Sequence, residues 1–492
     1  MRTVFVTDQK QEWFEIPDVG VVSALGYLAE PDGGGDSSVR VVNLCRTGRY
    51  QGRGYYVSLL AEARGQRPLP DVKTVEDLKS DTYVRALSTR IEPLVRDTLH
   101  HDESDRFELQ SYLGKDPARR HEALAEMLFA SVRAPLLRAV FARNAGQWQL
   151  EAVQAIGIAD IPSQDRAFLV EALKAFAAEA PSSASPRRSG SDKPRIAILH
   201  DPDEPHKPSN EEALQRLVRA APLVGLEAEL IRPDALDRLQ DFDALFNRAS
   251  PEVNGVIYEF VRRAQSLGMP VVDDPESILK CLNKVYMHEL MNRHRIATPK
   301  TLIVHRGNIE QIVPTLGLPC VLKLPDSGFG LDVVKIESED GLQQQAERFF
   351  KVSELFVAQE WLPTGFDWRV GVYDGRPLYV AKYFMAPGHW KIINAEEGMT
   401  EGKTQAMAIG EAPGHVIDMA VRAANLIGRG LYGVDLKQAG DRVYLIEVNC
   451  NPNLDAGNED QVLGEALYRE ILGVFARRIG ERRGGSAETG KP

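Results

Sequence analysis

The stretch that most restricts what this chain can fold into runs from Leu431 to Asn453, LYGVDLKQAGDRVYLIEVNCNPN. It reads as a β-hairpin. Tyr432 to Leu436 forms one strand, Gln438-Ala439-Gly440-Asp441 a polar turn, and Val443 to Val448 the return strand. Asp435 lies in the first strand, and Glu447 and Asn449 lie two residues apart in the second. A strand has a side-chain period of two, so Glu447 and Asn449 project from one face. Folding the hairpin brings Asp435 near them. Two carboxylates and an amide oxygen flanked by Val, Leu and Ile are costly to desolvate with nothing bound. Hard oxygen ligands of this kind suit Mg²⁺, which keeps several waters and shares its site with substrate phosphates. The hairpin thus predicts a Mg-nucleotide site. A surface hairpin with solvated acids fits this segment alone equally well.

Composition narrows the classes. A chain of 492 residues allows about two to four domains. The formal net charge of -11 argues against bulk nucleic-acid binding. No apolar run approaches the roughly 18 residues that a membrane span needs. The opening MRTVFVTDQK reads as a strand and polar loop, without the apolar core of a signal peptide. Cys45, Cys281, Cys320 and Cys450 are widely spaced, which suits free thiols in a reducing compartment. A cytoplasmic protein is expected.

Thr3 to Thr7 and Val39 to Leu44 read as strands, with Pro31 to Ser38 a loop. The Gly- and Arg-rich run from Cys45 to Gly54 leads into an apolar helical pattern from Tyr55. Strand, basic loop and helix start would make an anion site, although the glycine order fits neither the dinucleotide fingerprint nor the P-loop. A basic loop without a ligand fits as well, and Cys45 reads as packing before reactivity. From Lys115 to Ala180 apolar residues recur at three and four, which predicts helix throughout HEALAEMLFASVRAPLLRAVFAR and DRAFLVEALKAFAAEA. Residues 1–180 therefore form one α/β or α+β domain, and 181–194 a Pro- and Ser-rich linker.

A second domain opens with the strand Arg195 to His200. Ser209 and Glu212 make a capping box for a helix through Ala221. Strands at Glu227 to Ile231, Ala244 to Arg248 and Met269 to Val272, with a helix at Asn254 to Leu267, give a βαβ rhythm and a parallel sheet over 195–275. Ligands would face the loops near His200 to His206 and Asn247 to Ser250.

Asp274-Pro275 starts a helix to Asn292, which places Lys280 and Lys284 on one face. Lys280 reads as solvated. Lys323 sits inside the apolar strand Cys320 to Leu324, followed by Pro325-Asp326-Ser327-Gly328-Phe329-Gly330 and the strand Val333 to Ile336. A glycine loop between two strands is no Walker loop. It could still fold over phosphates, and a phosphate is a natural partner for the buried Lys323. Gln359-Glu360-Trp361-Leu362 ends a strand and offers apolar surface with acceptors for an adenine and its ribose. Asp367 and Arg369 share a strand face, and a guanidinium there can clamp a phosphoryl oxygen; a cross-strand ion pair is the alternative. Lys382 lies in the following strand, and Ala386 to Thr404 is long and polar enough to be a lid. Gly414 to Ile427 and Leu463 to Arg477 read as helices, with a disordered tail over 476–492.

In this order, Lys284, the strand-loop-strand around Lys323, Gly328 and Gly330, AQEWL, FDWRV, YGVDL and LIEVNCNPN resemble the ATP-grasp fold, and most of all its RimK branch. The likeness covers about residues 195–470, and residues 1–180 resemble the extra domain that precedes ATP-grasp in some RimK-like proteins. It implies an α/β and α+β multidomain chain. Two α+β subdomains over 276–475 would sandwich ATP, behind a parallel-sheet subdomain at 195–275. Lys284 and Lys323 would contact phosphates, and Gly328 and Gly330 would form the phosphate loop. Gln359, Glu360, Trp361 and Leu362 would hold adenine, with Asp367 beside the nucleotide. Asp435, Glu447 and Asn449 would hold Mg²⁺, with Mn²⁺ as the alternative. Arg369 would stabilise the transferred phosphoryl group, and Lys391 and Asn394 would add phosphate or substrate contacts. Close RimK relatives carry a basic pair where this chain has Phe384-Met385, and the adjoining segment here is longer.

The resemblance implies an ATP-dependent carboxylate-amine ligase that joins an amino-acid or peptide carboxylate to an amine through an acyl phosphate. An ATP-grasp phosphotransferase and a non-catalytic ATP-binding regulatory protein are the other classes. Family habit implies a homo-oligomer, a dimer or tetramer; charge and hydropathy lead to the expectation of no nucleic-acid or membrane partner.

Overall fold

The computed structural model describes residues 2–8, 13–14, 20–29, 39–100, 102, 104–144, 147–178, 193–205, 207–253, 255–326, 332–394 and 400–484. Most of the expected loop at Pro31 to Ser38 and the linker lie outside these residues, as do Gly328 and Gly330. The chain divides into two compact units, residues 1–183 with 352–354, and the remainder.

In the first unit β1 (Thr3–Thr7), β2 (Gly20–Ser23), α1 (Ala24–Ala29), β3 (Arg40–Asn43), α2 (Arg53–Ala63) and β4 (Arg67–Leu69) build a parallel sheet in the order β2-β1-β3-β4. Val41 and Val42 are buried on both faces of β3, as a parallel sheet requires. Helices α3 (Val72–Asp77) and α4 (Asp81–Leu99) follow, and Leu87, Ile91, Val95 and Leu99 of α4 repeat every four residues into the core. The antiparallel sheet β5 (Arg106–Tyr112), β6 (Leu136–Asn144) and β7 (Gln147–Ala155) packs with α5 (Glu122–Ser131), and α6 (Arg166–Ala178) ends the unit.

The expectation of helix through PLLRAVFAR was wrong, because β6 occupies it. Leu137, Ala139 and Phe141 alternate into the core and pair with β5 and β7 on either side, so long-range pairing overrides the local helical spacing. Cys45 is buried and hydrogen-bonded to the Val6 carbonyl, and burial pushes its thiol up; it packs rather than reacts.

The second unit opens with a parallel sheet in the order β11-β10-β8-β9, made of β8 (Arg195–Leu199), β9 (Glu227–Ile231), β10 (Ala244–Asn247) and β11 (Val271–Val272). Helices α7 (Glu211–Ala220) and α8 (Val256–Ser266) connect them. The cap of α7 is Asn210, whose side chain accepts from Ala213 N–H at 2.9 Å, not Ser209. Ser209 is buried and takes a hydrogen bond from Arg248.

The single helix expected from Glu276 to Asn292 is two, α9 (Pro275–Leu282) and α10 (Lys284–Arg293), broken at Asn283. Asn283 caps α10 through Tyr286 N–H. The break removes Lys280 and Lys284 from a common face: the Lys280 ammonium donates to the Ile427 carbonyl, while Lys284 opens α10 beside Pro325.

Next come β12 (Thr301–Val304), α11 (Ile312–Leu316), β13 (Cys320–Lys323), β14 (Val333–Ile336), α12 (Glu339–Phe350) and β15 (Phe356–Glu360), giving an antiparallel sheet β12-β15-β13-β14. A second antiparallel sheet, β20-β17-β16-β21-β22, contains β16 (Phe366–Tyr373), β17 (Arg376–Phe384), β20 (Thr404–Met407), β21 (Leu431–Ala439) and β22 (Arg442–Cys450). The expected lid holds a two-stranded ladder, β18 (Ile393–Asn394) with β19 (Thr400–Glu401). Helix α13 (Gly414–Ile427) packs under the second sheet. Helix α14 (Glu465–Gly484) runs beyond the expected end at Arg477, because Phe475 and Ile479 stay in the core with β8 and β10. Among the described residues no helix is long and apolar enough to cross a membrane.

Candidate active site

The hairpin stands on the register of three strands. Arg369 of β16 lies opposite Asp435 of β21, and Asp435 lies opposite Glu447 of β22. Asn449 lies opposite Gly433, one pleat further on the same face. The three predicted metal ligands are therefore neighbours, and the strands that carry them, Leu431–Ala439 and Arg442–Cys450, extend beyond the expected ones at both ends and take in Gln438 and Ala439 of the expected turn.

Arg369 forks onto Asp435. Its Nε donates to Oδ1, and Nη2 donates to Oδ2 at 2.8 Å. The side chains are 11% and 9% exposed. The cross-strand ion pair and the phosphoryl clamp, alternatives in the sequence, thus involve the same residue. Asn449 Nδ2 donates to Asp435 Oδ2 at 3.0 Å and lies 3.4 Å from Glu447 Oε1. Asp367 shares the face and pairs with Lys437 at 2.6 Å. Lys437 was missed in the sequence, although it lies two residues beyond Asp435 and so on the same face.

The first sheet and α10 each contribute a cation. Lys323 ends β13 and is 8% exposed; its ammonium donates to Gln359 Oε1 at 2.8 Å. Burial pushes Lys323 down to about 8, against the pull of Glu447. Burial also lowers Lys284, which feels Glu447 and Asp332. Burial would raise Glu447, but Lys284, Lys323 and Arg369 together outweigh it and hold the carboxyl below its ordinary value. Asp435 goes the other way, pushed up to about 6 by burial in spite of Arg369. Lys284 of α10, Lys323 of the first sheet, and Arg369, Asp435 and Glu447 of the second thus form one electrostatic unit.

The expected adenine hinge is partly engaged within the protein. Gln359 accepts from Lys323 and donates to Thr301 Oγ1, and the Glu360 carboxylate accepts from Lys300 N–H at 2.8 Å. Trp361 and Leu362 follow the end of β15, and the Trp361 ring meets Trp390 edge-on at 5.0 Å. Lys391 stands over Trp390 at 5.2 Å. Asn394 lies in β18, and its side chain falls outside the described residues.

Two glycines make room. A Cβ on Gly433 would sit 2.7 Å from Pro452 Cβ and 3.1 Å from Arg369 Cδ; one on Gly371 would sit 2.2 Å from the Tyr379 ring. The loops expected to face ligand at 247–250 instead hold Arg248, 2% exposed. It donates to Ser209 Oγ, Asn451 Oδ1 and the carbonyls of Pro208 and Pro452. No local pattern in the sequence marks Arg248, because its partners lie about 40 and 200 residues away.

The donor set fits a hard divalent cation shared with phosphates, since it offers two carboxylates and an amide at a partly buried face. Among the described residues no three His, Cys, Asp or Glu side chains converge as a full protein cage would.

Residues 24–172 match the family described as RimK-like ATP-grasp N-terminal domain, and residues 281–467 match the RimK-like ATP-grasp domain. The probable alpha-L-glutamate ligase 1 of Pseudoalteromonas atlantica (strain T6c / ATCC BAA-1087) is 26% identical over 221 residues, 44% of this chain and 71% of that one. The probable alpha-L-glutamate ligase 2 of Shewanella sp. (strain MR-4) is 25% identical over 280 residues, 53% and 89%. Among solved structures, a RimK domain protein ATP-grasp from Sphaerobacter thermophilus DSM 20745 aligns with a TM-score of 0.43 at 18% identity, covering 58% of this chain and 99% of that one.

Proposed function

We infer that this chain, which belongs to the RimK-like ATP-grasp family, joins a carboxylate to an amine at the expense of ATP. The observation that carries this reading is that Lys284 of α10, Lys323 of β13 and Arg369 of β16 all act on Glu447, whose strand partner Asp435 is gripped by Arg369. Such a set neutralises charge that develops on phosphoryl oxygens, which is the main way proteins catalyse phosphoryl transfer.

In the proposed reaction a substrate carboxylate attacks the γ-phosphorus of ATP. ADP leaves, and an amine then displaces phosphate from the acyl phosphate to give the amide. Lys284 and Lys323 would bind the nucleotide phosphates, and Gln359 to Leu362 would lie along the base. Asp435, Glu447 and Asn449 would hold Mg²⁺, which would supply positive charge against the phosphates. Two of the five Arg369 N–H donors grip Asp435, so three remain for the transferred group. The relatives named glutamate ligases support an amino acid as one substrate.

The test is nucleotide turnover by purified protein with Mg-ATP, mixed amino acids, small peptides and a cell extract. ADP, phosphate and a product lighter by one water than its two precursors are expected, all lost in Glu447→Ala. A product heavier by one phosphate would replace this reading with a phosphotransferase. ATP binding without turnover in any mixture would leave a regulatory protein.

A further inference from the structure

Arg369 is fixed in two dimensions by Asp435 and in the third by something else. A side-on fork onto a carboxylate sets the position of a guanidinium within its own plane. It does not stop the plane from tilting about the line of the two hydrogen bonds. Tyr383 of β17 fills that gap. The Arg369 Cζ stands 4.8 Å from the centre of the Tyr383 ring. Tyr383 lies opposite Asp367 in the ladder, so its side chain shares the face of Asp367 and Arg369.

The ring is itself held. The Tyr383 hydroxyl donates to Glu459 Oε1, and Glu459 Oε2 accepts from Asp455 N–H at 2.7 Å. Tyr383 is 8% exposed and Glu459 2% exposed. Next to it, the Tyr379 hydroxyl donates to the Asn453 carbonyl at 3.3 Å, so two tyrosines of one strand face anchor on the segment that follows the hairpin. The missing Cβ of Gly433 leaves space on the side of Arg369 Nη1.

We propose that Tyr383 and Glu459 form a positioning pair that holds the plane of the Arg369 guanidinium, so that its three remaining N–H donors point in a fixed direction. The role given to those donors rests on the ligase reading. The positioning itself rests only on the ring, the two carboxylates and their distances. Neither residue need touch substrate.

The experiment compares Tyr383→Leu, Tyr383→Phe and Glu459→Gln in the full chain. Rotation of the Arg369 guanidinium is read by NMR on protein carrying ¹⁵N-arginine, with Arg369→Lys to identify the signal. Wild type should show separate, slowly exchanging Nη signals. Tyr383→Leu should merge them, Tyr383→Phe should keep them separate, and Glu459→Gln should give an intermediate rate. ADP formation is measured alongside. Tyr383→Leu should lower kcat about tenfold, the size expected from loss of a desolvated cation–π contact, with KM for ATP within about twofold. Tyr383→Phe should recover most of the loss. A role confined to stability would lower Tm and leave the NMR signals separate. Separate signals in folded Tyr383→Leu would overturn the proposal. If Tyr383→Leu does not fold, unchanged rotation in Glu459→Gln overturns it equally. If wild type turns over no ATP, the ligase reading fails while the NMR comparison still decides the positioning.

Discussion

Arg369 and Asp435 face each other in register on neighbouring strands, and the guanidinium grips both carboxylate oxygens. The cation proposed to meet the transferred phosphoryl group is thus held by a carboxylate proposed to bind the metal. Each residue offsets the other's charge in a place where an unpaired charge is costly, since both side chains are about nine-tenths buried.

Removing one partner should therefore cost more than removing both. Arg369→Ala leaves the Asp435 carboxylate buried without its cation, a loss of about 3 kcal/mol. Adding Asp435→Asn removes the orphaned charge and should recover at least about 1 kcal/mol. Urea denaturation of the two single variants and the double variant reads the coupling. A double variant less stable than Arg369→Ala would show that Asp435 supports the fold by some other contact.

Lys323 gives the pH dependence a sign. Its ammonium is pushed down to about 8 by burial, and only the charged form can pair with phosphate. Affinity for ATP should be constant below pH 7 and fall as pH rises through 8. Stability should move the other way. Between about 8 and 10.4 the unfolded chain still holds a proton that the folded lysine has released, so this group makes stability rise with pH across that window. Calorimetric titration with Mg-ATP and urea midpoints from pH 7 to 10 should show the two opposite slopes, and Lys323→Met should flatten both. Parallel slopes would assign the effect to another group.

These features were unequally legible in the sequence. The hairpin was readable because Asp435, Glu447 and Asn449 keep a period of two, and pairing fixes the face once the strands are placed. Lys323 stood out as a charge within an apolar strand. The segment 136–144 was not readable as β6, because its apolar residues satisfy both helical and strand spacing. Only its two partner strands decide between them. The break at Asn283 carried a local sign, an asparagine able to cap, but the apolar pattern continues across it. Tyr383, Glu459 and Arg248 act through partners tens to hundreds of residues away, so no window of sequence contains them with their contacts.

Gly433 and Gly371 predict two different failures. An alanine at 433 would push Pro452 and the Arg369 side chain apart, where both meet the site. An alanine at 371 would strike the Tyr379 ring at 2.2 Å, behind Arg369 along the strand. Gly433→Ala should lower turnover at least about tenfold through Arg369, with a modest change in Tm. Gly371→Ala should cost about 1–3 kcal/mol of stability through overpacking. Measuring turnover and Tm for both separates a role in geometry from a role in packing, and equal losses of both quantities in the two variants would refute the distinction.

Arg248 should prove essential to the loop that follows β22. Its guanidinium reaches Asn451 Oδ1 and the Pro452 carbonyl on that loop, and Ser209 Oγ and the Pro208 carbonyl on the loop after β8. Asn451 has a left-handed backbone, φ 43, and its N–H donates to Asp273. A non-glycine residue keeps that conformation only where its surroundings impose it. Arg248→Met fills a similar volume but takes the Arg248 donor from Ser209 Oγ, Asn451 Oδ1 and the Pro452 carbonyl, while the Pro208 carbonyl keeps the Leu454 N–H; each acceptor that water does not reach costs about 1–3 kcal/mol. A loss of about 3 kcal/mol is expected in urea denaturation. Asn449 lies two residues before Asn451, so the folded variant should also need a higher Mg²⁺ concentration for half-maximal turnover, by about tenfold. Stability lost without any change in the Mg²⁺ requirement would mean that β22 holds Asn449 in place by its ladder alone, and that Arg248 only joins the two loops.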